Sequence, residues 1–417
     1  MRSNTVSFRD GAVEKPVRPL DRRRILLGVT GGIASYKSAW LARILTQAGA
    51  EVDVVLTRSA QEFVGAVTFE ALTGRRVHTA ILEPGQALEH IKLARAAELV
   101  VIAPATADFL SRAAAGRADD LLAAILLATT APVLFVPAMN DRMWAHPQTR
   151  ANVVHLRELG YRVLEPDVGE LAVGEGSGPG RMPEPETVFA HIGRLLEPAT
   201  GLTGKRVLVS AGPTREALDP VRFISNRSSG RMGIAIAAAA WRRGANVTLV
   251  HGPLTVRPPT GALLVGVESA QDMLREIAER LPEADVLIMA AAPADFRPAE
   301  VAGSKLKKAS APSAVPLAAT PDILVETTGA RKVGSIIVGF ALETDEPIAN
   351  ARGKLARKGL DLVVLNDARE SGAGFETETN RVTLLARDGT MSELPLMTKD
   401  QVADAILDRV GGLLGGH

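Results

Sequence analysis

Short runs of consecutive apolar residues recur along the chain, each followed by a polar turn and then by a stretch of helical periodicity. Unbroken apolar runs of about four to eight residues mark strands buried on both faces, as in a parallel sheet covered by helices. Arg24 to Val29, Glu51 to Leu56, Leu99 to Ala103 and Pro132 to Val136 fit that pattern, with a further strand at Arg162-Val163-Leu164. Tyr36 to Ala48 reads as a helix ending near Gly49, and Pro185 to Leu196 as another. Pro198-Ala199-Thr200-Gly201 then breaks the pattern, which restarts at Gly204. In this second stretch Lys205 to Val209, Asn246 to Val250, Asp285 to Ala290, Gly334 to Gly339 and Asp361 to Leu365 read as strands. Met232 to Arg242 and Lys399 to Val410 read as helices, and Arg381 to Leu385 as a late hairpin strand.

Strand, polar turn and helix in repetition predict an α/β fold of two doubly wound, Rossmann-like units, with ligands at the carboxyl ends of the strands. The units are expected at 24–197 and 204–417, joined by a linker at 198–203. The polar, basic stretch 1–23 is expected to be a disordered lead, not a signal peptide, and Gly411 to His417 a frayed end.

Composition narrows the chemistry. The chain has 417 residues, enough for two domains with sizeable cores, and a net charge of +1, so long-range attraction of nucleic acid or anionic membrane is not implied. Aromatic residues make up 4%, too few for a base-stacking surface. No apolar run is long enough to span a membrane, so a cytoplasmic protein is expected. There is no cysteine, which excludes disulfides, thiolate metal sites and thiol nucleophiles.

The polar clusters sit where the fold predicts ligands. Gly31-Gly32-Ile33-Ala34-Ser35 follows the first strand, but lacks a complete dinucleotide or P-loop signature. Thr57 to Ala60 and Pro104 to Asp108 follow two others. His90 opens a helical stretch, and an imidazole titrates in the range that proton transfer needs. In the second unit, Gly212 to Gly233 reads GPTREALDPVRFISNRSSGRMG, a glycine-rich turn suited to holding an anion ahead of a helix. Asp295 follows a central strand, where a carboxylate can hold a base, a ribose or Mg²⁺. Lys305-Leu306-Lys307-Lys308 lies close behind it. Lys354 and Lys358 are four residues apart on one helical face, where like charges repel. A triphosphate, Glu343 or solvent must offset them.

Two sets of motifs carry a resemblance. Gly31 to Lys37, Pro104 to Asp108 and Pro137-Ala138-Met139-Asn140-Asp141-Arg142-Met143-Trp144 resemble the flavin-containing cysteine decarboxylases. GPTREALDPVRFISNRSSGRMG, AAPADFRP followed by KLKK, GFALET, and Leu365-Asn366-Asp367 with Gly374-Phe375 resemble phosphopantothenate–cysteine ligases. In this order they resemble the fused bacterial enzymes of coenzyme A synthesis, over nearly all of residues 24–411.

The resemblance implies a flavodoxin-like flavoprotein fold followed by a ligase fold. It implies FMN against Gly31, Gly32, Ile33, Ser59, Pro104 and Thr106, with His90 as the catalytic histidine. Asn140, Met143 and Arg181 would hold the decarboxylase substrate. In the ligase, Asn226, Lys305 and Arg222 would act in the reaction of 4'-phosphopantothenate, L-cysteine and CTP with Mg²⁺. Asp295, Lys305, Pro321, Asp322, Ile323, Leu324, Phe340, Lys354 and Lys358 would contact CTP. A homo-oligomer is implied, a dodecamer of trimeric flavin units and dimeric ligase units.

One departure stands out. Relatives of the decarboxylases carry a cysteine on a flap, as the final proton donor. Here Leu171 to Met182 has none and is one residue longer. Retained decarboxylation with another donor, Glu175 being the candidate side chain, is the expectation. The alternative is an active ligase fused to an impaired or inactive decarboxylase unit.

Overall fold

The computed structural model describes residues 19–81, 88–174, 176–198, 200–307, 314–343, 346–367 and 379–415. The chain divides into two compact units, with the division between Leu196 and Glu197. Both predicted α/β units are present.

The first unit runs β1 (Arg24–Val29), α1 (Ser35–Gln47), β2 (Glu51–Leu56), α2 (Ala66–Thr73), β3 (Val77–His78) and α3 (Glu89–Ala96). It continues with β4 (Leu99–Ala105), α4 (Ala107–Ala114), α5 (Leu121–Ala128), β5 (Val133–Pro137), α6 (Asp141–Ala145) and α7 (Pro147–Glu158). β6 (Arg162–Val163), the antiparallel pair β7 (Asp167–Glu170) and β8 (Ser177–Arg181), and α8 (Pro185–Leu196) complete it. The main sheet has the order β3-β2-β1-β4-β5-β6, every pairing parallel. Side-chain alternation explains why its strands are apolar throughout. Ile25, Leu27 and Val29 of β1 enter one core with Leu41 and Leu45 of α1, while Leu26 enters another with Phe109 and Leu110 of α4. With both faces covered by helices, neither can be polar.

Of the expected disordered lead, residues 1–18 lie outside the described residues, and residues 19–23 are held against the first unit. Leu20 is buried in the first core, its amide donates to the Ala48 carbonyl at 3.0 Å, and Arg23 pairs with Glu98 at 2.6 Å. One apolar residue among charges gives no periodic signal, which is why the sequence hides this anchor.

The second unit runs β9 (Arg206–Ala211), the hairpin β10 (Arg215–Ala217) and β11 (Phe223–Ser225), α9 (Arg231–Arg242), β12 (Asn246–His251), β13 (Leu263–Gly266) and α10 (Ala270–Arg280). Then come β14 (Val286–Met289), β15 (Phe296–Pro298), β16 (Leu317–Ala319), α11 (Ile323–Glu326), β17 (Ile336–Glu343), α12 (Pro347–Arg357) and β18 (Leu362–Asp367). β19 (Thr379–Asn380), β20 (Val382–Ala386), β21 (Met391–Glu393), β22 (Met397–Thr398) and α13 (Lys399–Gly415) close it. The sheet order is β13-β12-β9-β14-β17-β18-β20-β21, parallel up to β18 and antiparallel beyond. Leu208, Leu287, Ile337 and Val363 face α10, α11 and α12 in one core.

The stretch around Leu202 is packed into this unit. Leu202 is buried, and the Thr200 hydroxyl donates to the Arg243 carbonyl at 3.1 Å. The expected frayed end is also corrected: α13 continues to Gly415. Val410 is buried and Leu413 and Leu414 supply further helix-favouring residues, so the glycines are carried along.

In both sheets the strand order reverses beside the first strand, between β1 and β4 and between β9 and β14. Such a switch point opens a crevice at the carboxyl ends of the strands. Gly31 and Thr106 flank the first; Gly212 and Ala292 flank the second.

Candidate functional site

The second crevice is a cleft of about 680 Å³. Asn226, Asp295, Pro321, Asp322, Ile323, Leu324, Phe340, Lys354 and Lys358, gathered from widely separated segments, all line it. The Asn226 amide donates to the Pro293 and Ala292 carbonyls at 2.9 and 3.3 Å, tying the glycine-rich loop to the turn after β14. The Lys354 ammonium donates to the Phe340 carbonyl at 2.6 Å, and Lys358 pairs with Asp322 at 2.7 Å. The repulsion expected between these lysines is thus relieved by groups that sequence spacing did not single out. Asp322 also caps α11.

Lys305 and Arg222 are not among the cleft-lining residues. Arg222 is engaged elsewhere: its guanidinium donates to Asp219, at 2.9 Å from Nε, and to the Leu306 carbonyl at 2.8 Å. Asp219 is buried and also accepts from the amides of Val221, Arg222 and Leu306. The Arg222 hydrogen bond, aided by those amides, holds the Asp219 carboxyl far below the usual range. Arg222 is therefore built to fasten the Lys305–Lys307 segment to the glycine-rich loop. Lys308 lies outside the described residues.

The cleft also exposes what sequence reasoning missed. Arg231, Asn380 and Lys399 line it, as does Asn366 from an already noted motif. Lys399 carries a signal that was available: a lysine in the first turn of a helix opposes the macrodipole. Asn380 gave none, being one polar residue in a polar run.

In the first unit, the predicted residues converge on neighbouring strand ends. The Thr30 hydroxyl donates to the Pro104 carbonyl at 2.8 Å and accepts from the Thr106 amide at 3.1 Å. Thr106 caps α4. Gly31 lies so close to Ser59 that a Cβ on it would fall 2.3 Å from the serine Cβ. Beyond it, a Cβ on Gly32 would meet nothing nearer than Thr106 at 3.9 Å, and α1 starts with no side-chain cap. A helix start without a side-chain cap, beside open space, fits a phosphate, although the Ser35 and Lys37 amides already donate to the Gly32 and Ala34 carbonyls. Ile33 is exposed. His90 stands on α3 with a buried Nδ1 that no group in the described structure hydrogen-bonds.

Asn140 caps α6 and Met143 is half-exposed on the same helix. β8 lies against this turn: the Met139 amide donates to the Gly180 carbonyl at 2.9 Å. Arg181 pairs with Glu184, which also meets the buried Lys37 at 3.2 Å. The structure thus joins the flap base to α1. Glu175 lies outside the described residues. Among the described residues, no group of three or more acidic or histidine side chains could hold a metal ion, and no helix is long and apolar enough to cross a membrane.

Residues 14–197 match the family model described as flavoprotein, and residues 202–413 that described as DNA/pantothenate metabolism flavoprotein C-terminal domain. The molecule is thus a flavoprotein domain fused to a pantothenate-metabolism domain. A coenzyme A biosynthesis bifunctional protein CoaBC from Mycolicibacterium smegmatis is 48% identical over 94% of this chain and 98% of its own. A solved C-terminal domain of a CoaBC protein is 41% identical, covering 52% of this chain and 100% of its own, with a TM-score of 0.45. The FMN-dependent cysteine decarboxylase SpaF is 36% identical over 39% of this chain and 91% of its own, with a TM-score of 0.35. The chain belongs to the CoaBC family of bifunctional coenzyme A biosynthesis enzymes, which unite a ligase and a decarboxylase.

Proposed function

We propose that the second unit joins 4'-phosphopantothenate to L-cysteine at the expense of CTP. One observation carries this reading: a single cleft gathers Asn226, Asp295, Asp322, Phe340, Lys354 and Lys358 at the switch point. A bare carboxylate is a poor electrophile, so the pantothenate carboxylate first attacks the α-phosphorus of CTP. Pyrophosphate leaves and an acyl-cytidylate forms. The cysteine amine then displaces CMP. Asn226 steadies the acyl-cytidylate and its conversion to product, from a loop that its amide ties to the turn after β14. Lys305 reaches the nucleotide from the segment that Arg222 holds, and Lys354 and Lys358 offset its charge. Mg²⁺ enters with the triphosphate. The test is pyrophosphate release from CTP, with Mg²⁺ and phosphopantothenate, before cysteine is added. No release would end this reading. Asn226→Asp should accumulate acyl-cytidylate while product formation falls.

The first unit has the residues to hold FMN: open space beside Gly32, the uncapped start of α1, Ser59, Pro104 and Thr106 support that fit. When bound, FMN supplies the oxidation that creates an electron sink beside the substrate carboxylate, and the later return of those electrons. Asn140 and Arg181 orient the substrate and His90 moves the first proton. His90→Asn should cripple this step and spare ligation.

The final protonation is where this chain departs. It has no cysteine anywhere, so the flap cannot present a thiol. We favour an active ligase joined to an impaired decarboxylase, whose defect is the last proton transfer to the enethiolate. Stopped-flow spectra of the bound flavin with authentic substrate test this: fast reduction with slow return of colour is expected. Reoxidation as fast as reduction, with full carbon dioxide release, would restore complete bifunctionality. We propose assembly as trimeric flavin units and dimeric ligase units in a dodecamer, which mass photometry would report.

A further inference from the structure

Helices α9 and α13 lie side by side and run parallel. At one end Arg231, the first residue of α9, acts on Lys399, the first residue of α13. At the other, Arg243 pairs with Asp408 at 2.6 Å and with Asp404 at 3.1 Å, and Arg242 also pairs with Asp404. Two helix amino termini and two cationic side chains therefore meet at one corner. That corner opens on the cleft: Lys399, Arg231, Ser228 and Ser229 all line it.

The arrangement is electrostatically costly. Lys399 is only 6% exposed. Burying an ammonium is unfavourable, placing it at a helix amino terminus opposes the dipole, and a neighbouring guanidinium adds repulsion. Burial first, and then Arg231, hold the Lys399 ammonium below the ordinary lysine range. The acid in its own first turn, Asp400, does not line the cleft and lies in the field of Arg242. α9 has no side-chain cap, whereas Thr398 and Gln401 cap α13 reciprocally. Lys399 and Arg231 each have further contacts within the protein, and both line the cleft.

A second feature marks the same wall. β19 pairs with β22, setting Asn380 opposite Met397, two residues before Lys399. Asn380 is 2% exposed and donates to the Asn366 side chain at 3.3 Å, while its buried Oδ1 has no partner in the described structure. A buried amide oxygen on a residue that lines a cleft, with no donor in the described structure, is a place for a ligand or its water.

We propose that Lys399 is a binding residue for the polyphosphate of the nucleotide, gripping the part that leaves as pyrophosphate at the paired starts of α9 and α13. The polyanion relieves the charge that the fold concentrates there. Asn380 supplies the acceptor that a polyphosphate does not need, but that the water shell of its divalent cation does. This inference rests on the ligase reading, and adds a phosphate contact on a wall formed by the end of the chain.

The test is calorimetric titration of the full-length protein and its Lys399→Gln variant with CTP, CMP and inorganic pyrophosphate, each with Mg²⁺. Lys399→Gln should weaken CTP and pyrophosphate at least tenfold and change CMP by less than twofold. Equal loss of CTP and CMP, or no loss of either, would overturn the assignment. Should the glutamine variant not fold, Lys399→Arg is read instead. A guanidinium cannot reproduce the ammonium's contact, so the CTP-to-CMP affinity ratio should shift at least threefold, and an unchanged ratio overturns the proposal. Wild-type protein that binds no CTP would defeat the ligase reading itself; wild-type binding matched by the variants defeats this inference alone.

Discussion

The Lys358 ammonium sits 2.7 Å from the Asp322 carboxylate, so one of the two lysines at the end of α12 meets an anion before any nucleotide arrives. The pair is partly open to solvent, with the Asp322 side chain 44% exposed. Exposed pairs contribute only about 0–1 kcal/mol. Its purpose is thus better sought in binding than in stability. Lys358→Met should leave the melting temperature within a few degrees of wild type and raise KM for CTP about tenfold, the scale of a lost charged hydrogen bond. Steady-state kinetics with a thermal melt check this. A normal KM would reduce Lys358 to a partner of Asp322.

Asp219 and Arg222 set a different prediction, because their work is to hold a loop. The carboxyl of Asp219 is depressed in the folded state, chiefly by the Arg222 hydrogen bond. A depressed carboxyl contributes stability above its unfolded pKa, about 3.9, and loses that contribution as pH falls through the folded value. Asp219→Asn should therefore unfold at lower urea than wild type at pH 7, and the gap should narrow at about pH 3. Arg222→Ala should also expose the bonds after Lys305 and Lys307 to trypsin. Cleavage no faster than in wild type would show that the loop is held by other means.

Lys37 makes the corresponding link in the first unit. It is nearly buried, with its ammonium 2.7 Å from the Met182 carbonyl and 3.2 Å from Glu184. Burial pushes the Glu184 carboxyl up, but Lys37 and then Arg181 outweigh it and hold the carboxyl below its usual range. Removing one partner of a buried pair costs about 3–5 kcal/mol. Glu184 keeps Arg181 and some solvent, so about 2–3 kcal/mol is expected for Lys37→Met. The loss should be visible in a urea transition at pH 7 and smaller as pH falls below about 4.3, the ordinary glutamate value. The flap base should loosen too, read as faster hydrogen exchange at 181–184.

How much of this was legible before folding depends on what each residue does. Strands such as Leu99–Ala105 announce themselves because burial on both faces leaves no polar position. That Asn226, Asp295 and Lys354 line one cleft could be read ahead because their motifs are long and their strand-end placement follows from the fold. The lining role of Lys399 was not, although its helix was. Its place in the cleft follows from the packing of α13 against α9, a contact between residues far apart in sequence. Arg222 shows another limit: a motif residue expected in the reaction also ties down the segment carrying Lys305. A motif marks which residues matter, but only packing separates a side chain that touches substrate from one that holds another in place.

The flap offers the sharpest test of the missing thiol. β7 and β8 pair in antiparallel register, and the turn between them is closed by the Leu171 amide donating to the Gly176 carbonyl at 2.9 Å. Val173 stands in that turn fully exposed, so replacing it breaks no packing. Gly180 holds the other end, because a Cβ there would fall 2.2 Å from the Met139 carbonyl oxygen. The turn can thus change chemistry while its base stays docked. Val173→Cys places a thiol, with an ordinary pKa of about 8.5, on the turn where the flap cysteine is missing. If the last proton transfer limits this enzyme, the variant should release carbon dioxide faster and shorten the lag before flavin colour returns, with ligation unchanged. Val173→Ser should give neither gain, since a hydroxyl is far less acidic than a thiol. Equal rates in the parent and the cysteine variant would show that the flap is not where the proton is lost.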